Sequence, residues 1–323
     1  MSACRAIGPF HNFADGGHAR GRRPPSTLTA MSTTPLPAEA PGLSAVLRLR
    51  GRAFGPGDFA VMAVVNRTPD SFYDRGSTYA FSAAVDAASR LIEEGADIVD
   101  IGGVKAGPGT EVDPAEEIRR VAEVVAAVRD RHPDVIISVD TWRSEVAEVV
   151  AEAGADLLND TWGGVDPKLA EVAAAYGIGL VCAHAGRVEP RTRPHRIAYA
   201  DVVADVVAYT TDLAERAVAA GVRRDAILID PAHDFGKNTW HSLEVSRRLG
   251  ELTATGWPVL VAVSNKDFVG ETLGGLPVEE RHAGTLATLA VSALQGARVF
   301  RVHDAASART ALSVVARLGG VLP

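Results

Sequence analysis

The chain has 323 residues, of which 47% are apolar, and its formal net charge is -7. This length allows one large domain or two ordinary domains with a substantial core. The 33 lysine and arginine residues are scattered along the chain and form no basic stripe, so the sequence argues against a protein that binds nucleic acid.

The two cysteines, Cys4 and Cys182, give neither a disulfide framework nor the spacing of a zinc site, which favours a cytoplasmic protein. Cys182 stands in an apolar run, and we expect it to be a small buried side chain. No segment resembles the apolar stretch of a membrane span or of a signal peptide, so we expect no membrane association.

Residues 1–42 differ in composition from the rest of the chain. They are rich in Gly, Pro, Ser, Thr, Ala and Arg and show no hydrophobic periodicity. Such segments bury too little apolar surface to fold. We therefore predict a disordered N-terminal tail, with Met31 as an alternative start, followed by one folded domain over residues 43–323.

A β-hairpin is predicted over residues 45–60. Residues 45–50 alternate apolar with basic side chains, and a Gly-Pro-Gly turn follows at residues 55–57. One face of this hairpin is free to cover apolar surface.

Apolar runs and amphipathic stretches then alternate regularly to the end of the chain. The runs that predict buried strands are 61–65, 97–101, 135–139, 156–158, 178–182, 226–229, 259–263 and 298–302. The stretches that predict helices are 81–94, 114–131, 143–153, 167–176, 200–220, 240–255, 278–295 and 305–317, and several end on glycine. Eight strand–helix units favour a (β/α)8 TIM barrel over an open sheet, with the hairpin plugging the amino-terminal mouth.

Polar residues follow nearly every predicted strand, at the mouth where barrels carry their chemistry. These residues are Asn66, Gly102 and Gly103, Asp140, Asn159 and Asp160, His184, Asp230, Ser264, Asn265 and Lys266, and His303 and Asp304, with Arg301 two residues earlier.

Single members of this set have structural alternatives. Asp140 could be a helix N-cap, Asp230 could start a turn before Pro231, and His303 could be a core histidine. A polar residue at the end of almost every strand is better explained by a lined pocket.

The predicted pocket divides by charge. Asp140, Asn159 and Asp230 offer two acceptors and an amide, a set suited to the N–H edge of a flat nitrogen heterocycle. Lys266, Arg301 and His303 come from the last two strands, where barrels commonly bind phosphate. An oxygen ligand from Asn66 would suit Mg2+ bound to a diphosphate.

Four motifs within residues 45–320 resemble those of dihydropteroate synthase, the folate-pathway enzyme that joins p-aminobenzoate to a pterin methyl diphosphate. They are Asn66-Arg-Thr-Pro-Asp-Ser-Phe72, Ile137-Ser-Val-Asp-Thr141, Ile229-Asp-Pro-Ala-His-Asp-Phe-Gly-Lys237 and Arg301-Val-His-Asp304.

The resemblance implies roles for the strand-end residues. Four would hold the pterin ring: Asp140, Asn159, Asp230 and Lys266. Phe235 and Lys237 would line the pocket, and Ser264 would lie near the 4-aminobenzoate carboxylate. Asn66, Arg301 and His303 would bind the diphosphate, with Asn66 also a Mg2+ ligand.

The resemblance also implies a mechanism and an assembly. Diphosphate would leave before the amine attacks, with catalysis resting on Asp140, Lys266, Arg301 and His303 and with closure of the loops after the first and second strands. The implied assembly is a homodimer formed through the last helices.

The sequence departs from the family around the second substrate. Where the family usually has Glu-Ser-Thr-Arg-Pro-Gly, this chain has Val104-Lys-Ala-Gly-Pro-Gly109, and the usual Ser-Arg-Lys becomes Ser264-Asn265-Lys266. Arg67 and Tyr73 stand where smaller residues are common.

Three hypotheses follow. The first, which we favour for reaction class, is a working dihydropteroate synthase in which Arg67 or Lys105 replaces the missing arginines. The second is an inactive or weakly active paralogue that binds pterin diphosphate without efficient condensation. The third is a folate-type methyltransferase, and the cationic cluster of Lys266, Arg301 and His303 argues against it.

Overall fold

A computed structural model describes residues 46–68, 77–186, 188–192 and 198–319 of the chain. The predicted tail over residues 1–42 lies outside the described residues, as does Tyr73.

Parallel strands form the centre of the molecule. Those of the described residues are β3 (Ala60–Asn66), β4 (Ile98–Gly102), β5 (Ile136–Asp140), β6 (Leu157–Asp160), β7 (Gly179–Ala183), β8 (Ile227–Asp230), β9 (Leu260–Val261) and β10 (Val299–Val302). They are ordered β8-β7-β6-β5-β4-β3-β10-β9, and a parallel bridge between Ile229 and Val259 joins the two ends of the sheet. The predicted (β/α)8 barrel is confirmed.

Helices follow the strands around the outside. They are α1 (Phe81–Glu93), α2 (Pro114–Arg131), α3 (Ser144–Glu152), α4 (Lys168–Tyr176), α5 (Val202–Ala219), α6 (Thr239–Arg247), α7 (Leu249–Thr253), α8 (Asp267–Thr272), α9 (His282–Leu294) and α10 (Ala305–Leu318). None of the described helices is both long and apolar enough to cross a membrane.

The largest differences from the sequence prediction lie between residues 240 and 295, where α8 was also not predicted. The helix predicted over 240–255 breaks at Arg248, which is not helical (φ -108°, ψ 23°) and pairs with Asp201 and Glu251. The strand predicted over 259–263 shortens to β9, and residues 278–280 form a separate 3-10 turn ahead of α9. Tertiary contacts override local pattern at these places.

The ends of the helices follow their sequence signals. Asp113 caps α2, where its side chain accepts a hydrogen bond from the Glu116 amide at 2.7 Å, and Asp304 caps α10 in the same way through Ser307. The glycine that ends α4, Gly177, has a φ of 65°, which a side chain would strain.

The N-terminal hairpin closes the lower mouth of the barrel, as predicted. It consists of β1 (Leu47–Leu49) and β2 (Arg52–Phe54), paired antiparallel. Leu47, Leu49 and Phe54 are buried in one cluster with inward-facing residues of the barrel strands such as Met62. The mouth closed by the hairpin and the mouth that carries the polar residues are therefore at opposite ends of the barrel.

Candidate active site

A buried ion-pair network lies at the centre of the polar mouth. The Arg301 guanidinium, on β10, donates through Nε to Asp100 Oδ2 at 2.6 Å and through Nη2 to Asp140 Oδ2 at 2.9 Å. The side chain of Asp100 is 0% exposed, and those of Arg301 and Asp140 are 20% and 18% exposed. One arginine thus binds two carboxyl groups at once.

Asp100 also binds two neighbours on the adjoining strands. Ser138 Oγ donates to Asp100 Oδ1 at 2.6 Å, and Asn159 Nδ2 donates to Asp100 Oδ2 at 3.1 Å. This carboxylate therefore orients Arg301 and Asn159 at once. Asp100 was not among the predicted site residues, although a charged residue inside a strand otherwise buried on both faces could have indicated it.

The pKa of the Asp140 carboxyl lies well above its usual value. Burial raises the pKa of Asp140 to about 7, against the opposing pull of Arg301 and with an added push from the Asp100 charge. The N-cap alternative for Asp140 is wrong, because the residue before α3 is Arg143. Its second oxygen accepts from Thr161 Oγ1 at 3.1 Å.

A second charged cluster surrounds Lys266. Its ammonium donates to the carbonyl of His233 and lies 4.8 Å from the centre of the Phe235 ring. Burial lowers the pKa of Lys266, although the charges of Asp234 and Asp230 oppose that shift. Asp234 is a second carboxylate that the sequence analysis missed, because it stands in a loop and has a left-handed backbone (φ 67°).

Asp230 is placed at the end of β8 and does start a turn. Its Oδ1 accepts from the Ala232 amide at 2.7 Å. Burial raises the pKa of Asp230, and Lys266 opposes the shift. Asp230 and Lys266 each act on the other's pKa, so the two side chains lie near each other in the mouth.

Lys237 is held by four protein acceptors. Its Nζ contacts the carbonyls of His184, Ala232 and Phe235 at 2.8, 3.3 and 3.1 Å, and the His184 ring at 2.8 Å. Burial lowers the pKa of Lys237 to about 7. These contacts fix the loop that carries Phe235 against the end of β7.

Ser264 and His303 lie next to each other at the ends of adjacent strands. Ser264 Oγ is 3.0 Å from His303 Nδ1 and accepts from the His303 amide at 3.3 Å. On the other side of β10, Asn66 ends β3, and a Cβ added to Gly102 would lie 3.8 Å from Asn66 Oδ1 and 3.6 Å from Asp140 Cβ. The glycine leaves room between these two predicted site residues.

The residues around Asn66 would hold a metal ion only together with ligands from outside the protein. In the part of the chain that the structure describes, no three His, Cys, Asp or Glu residues are grouped to hold a metal ion. Asn66 offers one amide oxygen, so a Mg2+ ion here would need most of its ligands from phosphate oxygens and water.

Asn265 replaces an arginine of the family pattern and Arg67 replaces a smaller residue. Both side chains lie where other parts of the protein bind them or their backbone. Asn265 is 7% exposed and left-handed (φ 55°), and its amide donates to Thr285 Oγ1 at 3.0 Å. Arg67 donates to the carbonyls of Tyr79 and Arg119 at 3.1 and 3.2 Å and to that of Arg120 at 2.5 Å. Arg67 is thus used to hold the backbone of neighbouring elements.

Phe235, which was expected to line the pocket, belongs to an aromatic wall with two tryptophans that were not predicted to be there. Trp162 packs edge to face on Phe235, with ring centres 5.2 Å apart, and on Trp142 at 6.4 Å. Arg143 stacks on Trp142 at 4.6 Å. The two tryptophans lie in loops, where no hydrophobic period marks them.

Comparison with known proteins identifies relatives of this arrangement. The family described as "Pterin binding enzyme" matches residues 62–303. The inactive dihydropteroate synthase 2 of Mycobacterium tuberculosis is 55% identical over 279 residues, which cover 85% of this chain and 87% of the relative. The dihydropteroate synthase of Streptococcus pyogenes is 36% identical over 265 residues, covering 81% and 96%.

Solved structures agree with these sequence matches. The Yersinia pestis dihydropteroate synthase bound to a sulfonamide drug has a TM-score of 0.80 and 35% identity, covering 86% of this chain and 100% of the other. The Xanthomonas albilineans dihydropteroate synthase with 4-aminobenzoic acid has a TM-score of 0.77 and 36% identity, covering 87% and 100%. The same Xanthomonas enzyme with 7,8-dihydropteroate has a TM-score of 0.74 and 35% identity, covering 86% and 100%.

Proposed function

Because the chain belongs to the family of pterin-binding enzymes, we propose that its polar mouth binds 6-hydroxymethyl-7,8-dihydropterin diphosphate and condenses it with 4-aminobenzoate weakly or not at all. The observation that carries the proposal is the buried network of Asp100, Arg301 and Asp140, continued by Asn159. It places carboxylate, amide and guanidinium groups together in a site shielded from water.

The pterin ring would bind over this network. Asp140 and Asp230 would accept its N–H groups, Asn159 and Lys266 would bind its oxygen and nitrogen acceptors, and the wall of Trp162 and Phe235 would pack against its plane.

The diphosphate would lie toward His303 and Asn66. Arg301 is already paired with two carboxylates, so the remaining positive charge would come from His303, Lys266 and a Mg2+ ion that Asn66 would help to hold. Bound Mg2+ neutralises charge on the departing diphosphate. The residues of this chain would bind and orient the diphosphate and exclude water from the methylene carbon.

Reduced condensation is supported by the amine side of the site. Asn265 is packed on Thr285, Arg67 is engaged with backbone carbonyls, and Val104–Gly109 contains no guanidinium group. The charge-assisted contacts that a carboxylate-bearing amine needs are therefore fewer than in the family pattern. The relatives from Mycobacterium with 54–55% identity bear the name inactive dihydropteroate synthase 2.

The alternative is a working dihydropteroate synthase. Ser264, which is hydrogen-bonded to His303, remains after β9, where it would meet the 4-aminobenzoate carboxylate. Both alternatives share the pterin site and differ only in turnover.

A homodimer is part of the proposal. Large apolar side chains are exposed on α9 and α10, which pack on each other: Val291 (50%), Leu294 (62%), Val314 (51%) and Leu318 (74%). Exposed apolar patches of this kind are typical of protein interfaces.

The deciding experiment pairs binding with turnover. We expect calorimetry to detect pterin diphosphate binding in the presence of Mg2+, and a steady-state assay with 4-aminobenzoate to give turnover at least about 100-fold below ordinary rates of about 1–1,000 per second. Arg301→Ala is expected to remove binding, and Arg90→Ala, which breaks an exposed pair on α1, serves as its matched control. Ordinary turnover would establish the working enzyme, and absence of binding by the wild-type protein would refute the site.

A further inference from the structure

The loop after β4, which we call loop 2 (residues 103–112), is tied to the barrel by arginines from three other elements. Arg120 of α2 donates to the carbonyl of Gly103 at 2.9 Å, and Arg143, ahead of α3, donates to the carbonyl of Val112 at 2.7 Å. These two contacts hold the two ends of the loop.

Arg191 holds the middle of loop 2. Its Nε lies 3.2 Å from the Lys105 carbonyl and 3.3 Å from that of Gly107, and its Nη1 lies 2.8 Å from the Thr110 carbonyl. One guanidinium therefore binds three carbonyls that are 81 to 86 residues away in sequence. The planar fork of arginine suits this, since it presents several N–H groups in fixed directions.

The contact between Arg191 and loop 2 joins two separate parts of the barrel mouth. Loop 2 follows β4 and Arg191 follows β7, and the sheet order places β5 and β6 between these strands. The strands that are bridged over carry Asp140 and Asn159. The contact between the loops of β4 and β7 therefore lies on the side of the mouth where β5 and β6 end with the two residues that would hold the pterin ring.

The conformation of Arg191 is consistent with a specific task. Its φ is 63°, a left-handed value that a residue with a long side chain rarely adopts. Such strain persists where surrounding contacts over-determine it, and here the contacts are the three loop 2 carbonyls.

Loop 2 itself supplies little to hold its own shape. Gly107, Pro108 and Gly109 form its centre, and glycine loses the most backbone freedom on ordering. The arginine that the family carries inside this loop is absent, and an arginine from the other side of the mouth binds the loop instead.

We propose that Arg191 is a positioning residue that fixes loop 2 across the mouth and so controls how fast a pterin diphosphate enters and leaves. This inference rests on the proposed pterin site for its ligand, and on the three carbonyl contacts for its geometry. A loop fixed in this way also opposes the closure that would shape the amine site, which agrees with reduced condensation.

The first test needs no ligand. Lys105 provides a trypsin site within loop 2, and a protease cuts a loop only when the loop opens. We expect the initial rate of cleavage after Lys105, followed by mass spectrometry on the full chain, to rise at least tenfold in Arg191→Ala. Arg191→Lys, which retains the charge and part of the donors, should give an intermediate rate.

Two controls keep the result specific. Arg223→Ala removes an exposed arginine at the opposite mouth, where it binds Asp225 and the carbonyl of Arg48, and should leave the rate unchanged. Cleavage after Lys168, at the start of α4, should also stay constant. A rate in Arg191→Ala within twofold of wild type, or an equal rise at Lys168, would overturn the inference.

The second test measures ligand exchange. Stopped-flow fluorescence of pterin diphosphate should show dissociation at least fivefold faster from Arg191→Ala than from wild type, with Arg191→Lys partly restoring the slow rate. An unchanged dissociation rate would refute control by Arg191. If the wild-type protein binds no pterin diphosphate, the proposed function fails, and the trypsin rates still decide whether Arg191 positions loop 2.

Discussion

At the scale of single residues, the most consequential feature is a charge placed in the middle of a strand. Asp100 receives donors from Arg301, Ser138 and Asn159 and is wholly buried. Burying a charge without partners is prohibitive, so these contacts are what allow the residue to be there. Asp100 thereby positions two residues of the proposed site, Arg301 and Asn159.

Removing this carboxylate should destabilise the fold. Asp100→Ala leaves the buried guanidinium of Arg301 with one partner fewer, and we expect the free energy of unfolding to fall by about 2–4 kcal/mol in urea titrations. Asp225→Ala, which breaks exposed pairs with Arg48 and Arg223, is the control and should cost less than about 1 kcal/mol. A loss below 1 kcal/mol for Asp100→Ala would mean that Asp140 alone satisfies Arg301.

The titration of Asp140 predicts a pH dependence of binding. With its pKa raised to about 7, the carboxyl is mostly protonated at pH 6 and mostly ionised at pH 8. A ring N–H needs the ionised form as acceptor, so affinity should rise with pH, by about tenfold from pH 6 to pH 8.

Calorimetry with 6-hydroxymethyl-7,8-dihydropterin, which has no phosphate to titrate, would measure this rise. Asp140→Asn should bind with an affinity that does not change over the same range. If wild type and Asp140→Asn give parallel pH profiles, another group is responsible.

Strand ends were the part of the site that residue patterns could predict. Asn66, Asp140, Asn159, Asp230, Lys266 and His303 all stand where an apolar run stops. Asp100 and Asp234 were missed for opposite reasons, since one lies inside an apolar run and the other inside a loop without any period. Hydrophobic periodicity predicts where strands lie and end, but it does not predict charged residues inside a strand or a loop.

At the scale of elements, the hairpin of β1 and β2 shows how the two ends of the barrel divide their tasks. Its apolar side chains fill the lower mouth, and Arg50 and Arg52 pair with Asp156 and Asp97 beside the strands. None of these contacts reaches the polar mouth.

A mutation in the hairpin should therefore separate stability from binding. Leu49→Ala opens a cavity at a residue that is 2% exposed, and we expect a loss of about 2–4 kcal/mol in the free energy of unfolding. Affinity for pterin diphosphate, measured by calorimetry, should stay within twofold of wild type. Val165→Ala, at an exposed residue, is the stability control. A fivefold loss of affinity in Leu49→Ala would show that the two mouths are coupled.

Helix and strand boundaries were predictable where local signals act alone. The predicted span 114–131 matches α2, which has Pro114 at its start and the cap of Asp113 before it. The predicted span 240–255 failed because Arg248 leaves the helical conformation to pair with Asp201, a residue 47 positions away. Contacts of that range are invisible to a window of neighbouring residues.

At the scale of the whole molecule, the proposed dimer gives a direct prediction. Replacing Leu294 and Leu318 with glutamate puts charges on the exposed sides of α9 and α10, and burying those charges in an interface is unfavourable. Sedimentation should then detect a monomer where the wild-type protein is a dimer.

Trp240→Glu serves as the matched control, because Trp240 is 78% exposed and belongs to α6, not to α9 or α10. Its assembly should be that of wild type. A double mutant that remains dimeric would place the interface elsewhere.

The barrel joins the beginning of the described chain to its end. β10 pairs with β3, Val299 beside Ala60, and Arg298 donates to the carbonyl of Phe54 across 244 positions of sequence. During synthesis the outer edge of β3 therefore stays uncovered until residues near 300 have been made. Contacts of such separation slow folding, and open strand edges invite aggregation in the meantime. A nascent chain interrupted before Val299 lacks β10, so the edges of β3 and β9 that β10 would cover stay unpaired. We therefore expect chaperones to bind this chain during translation.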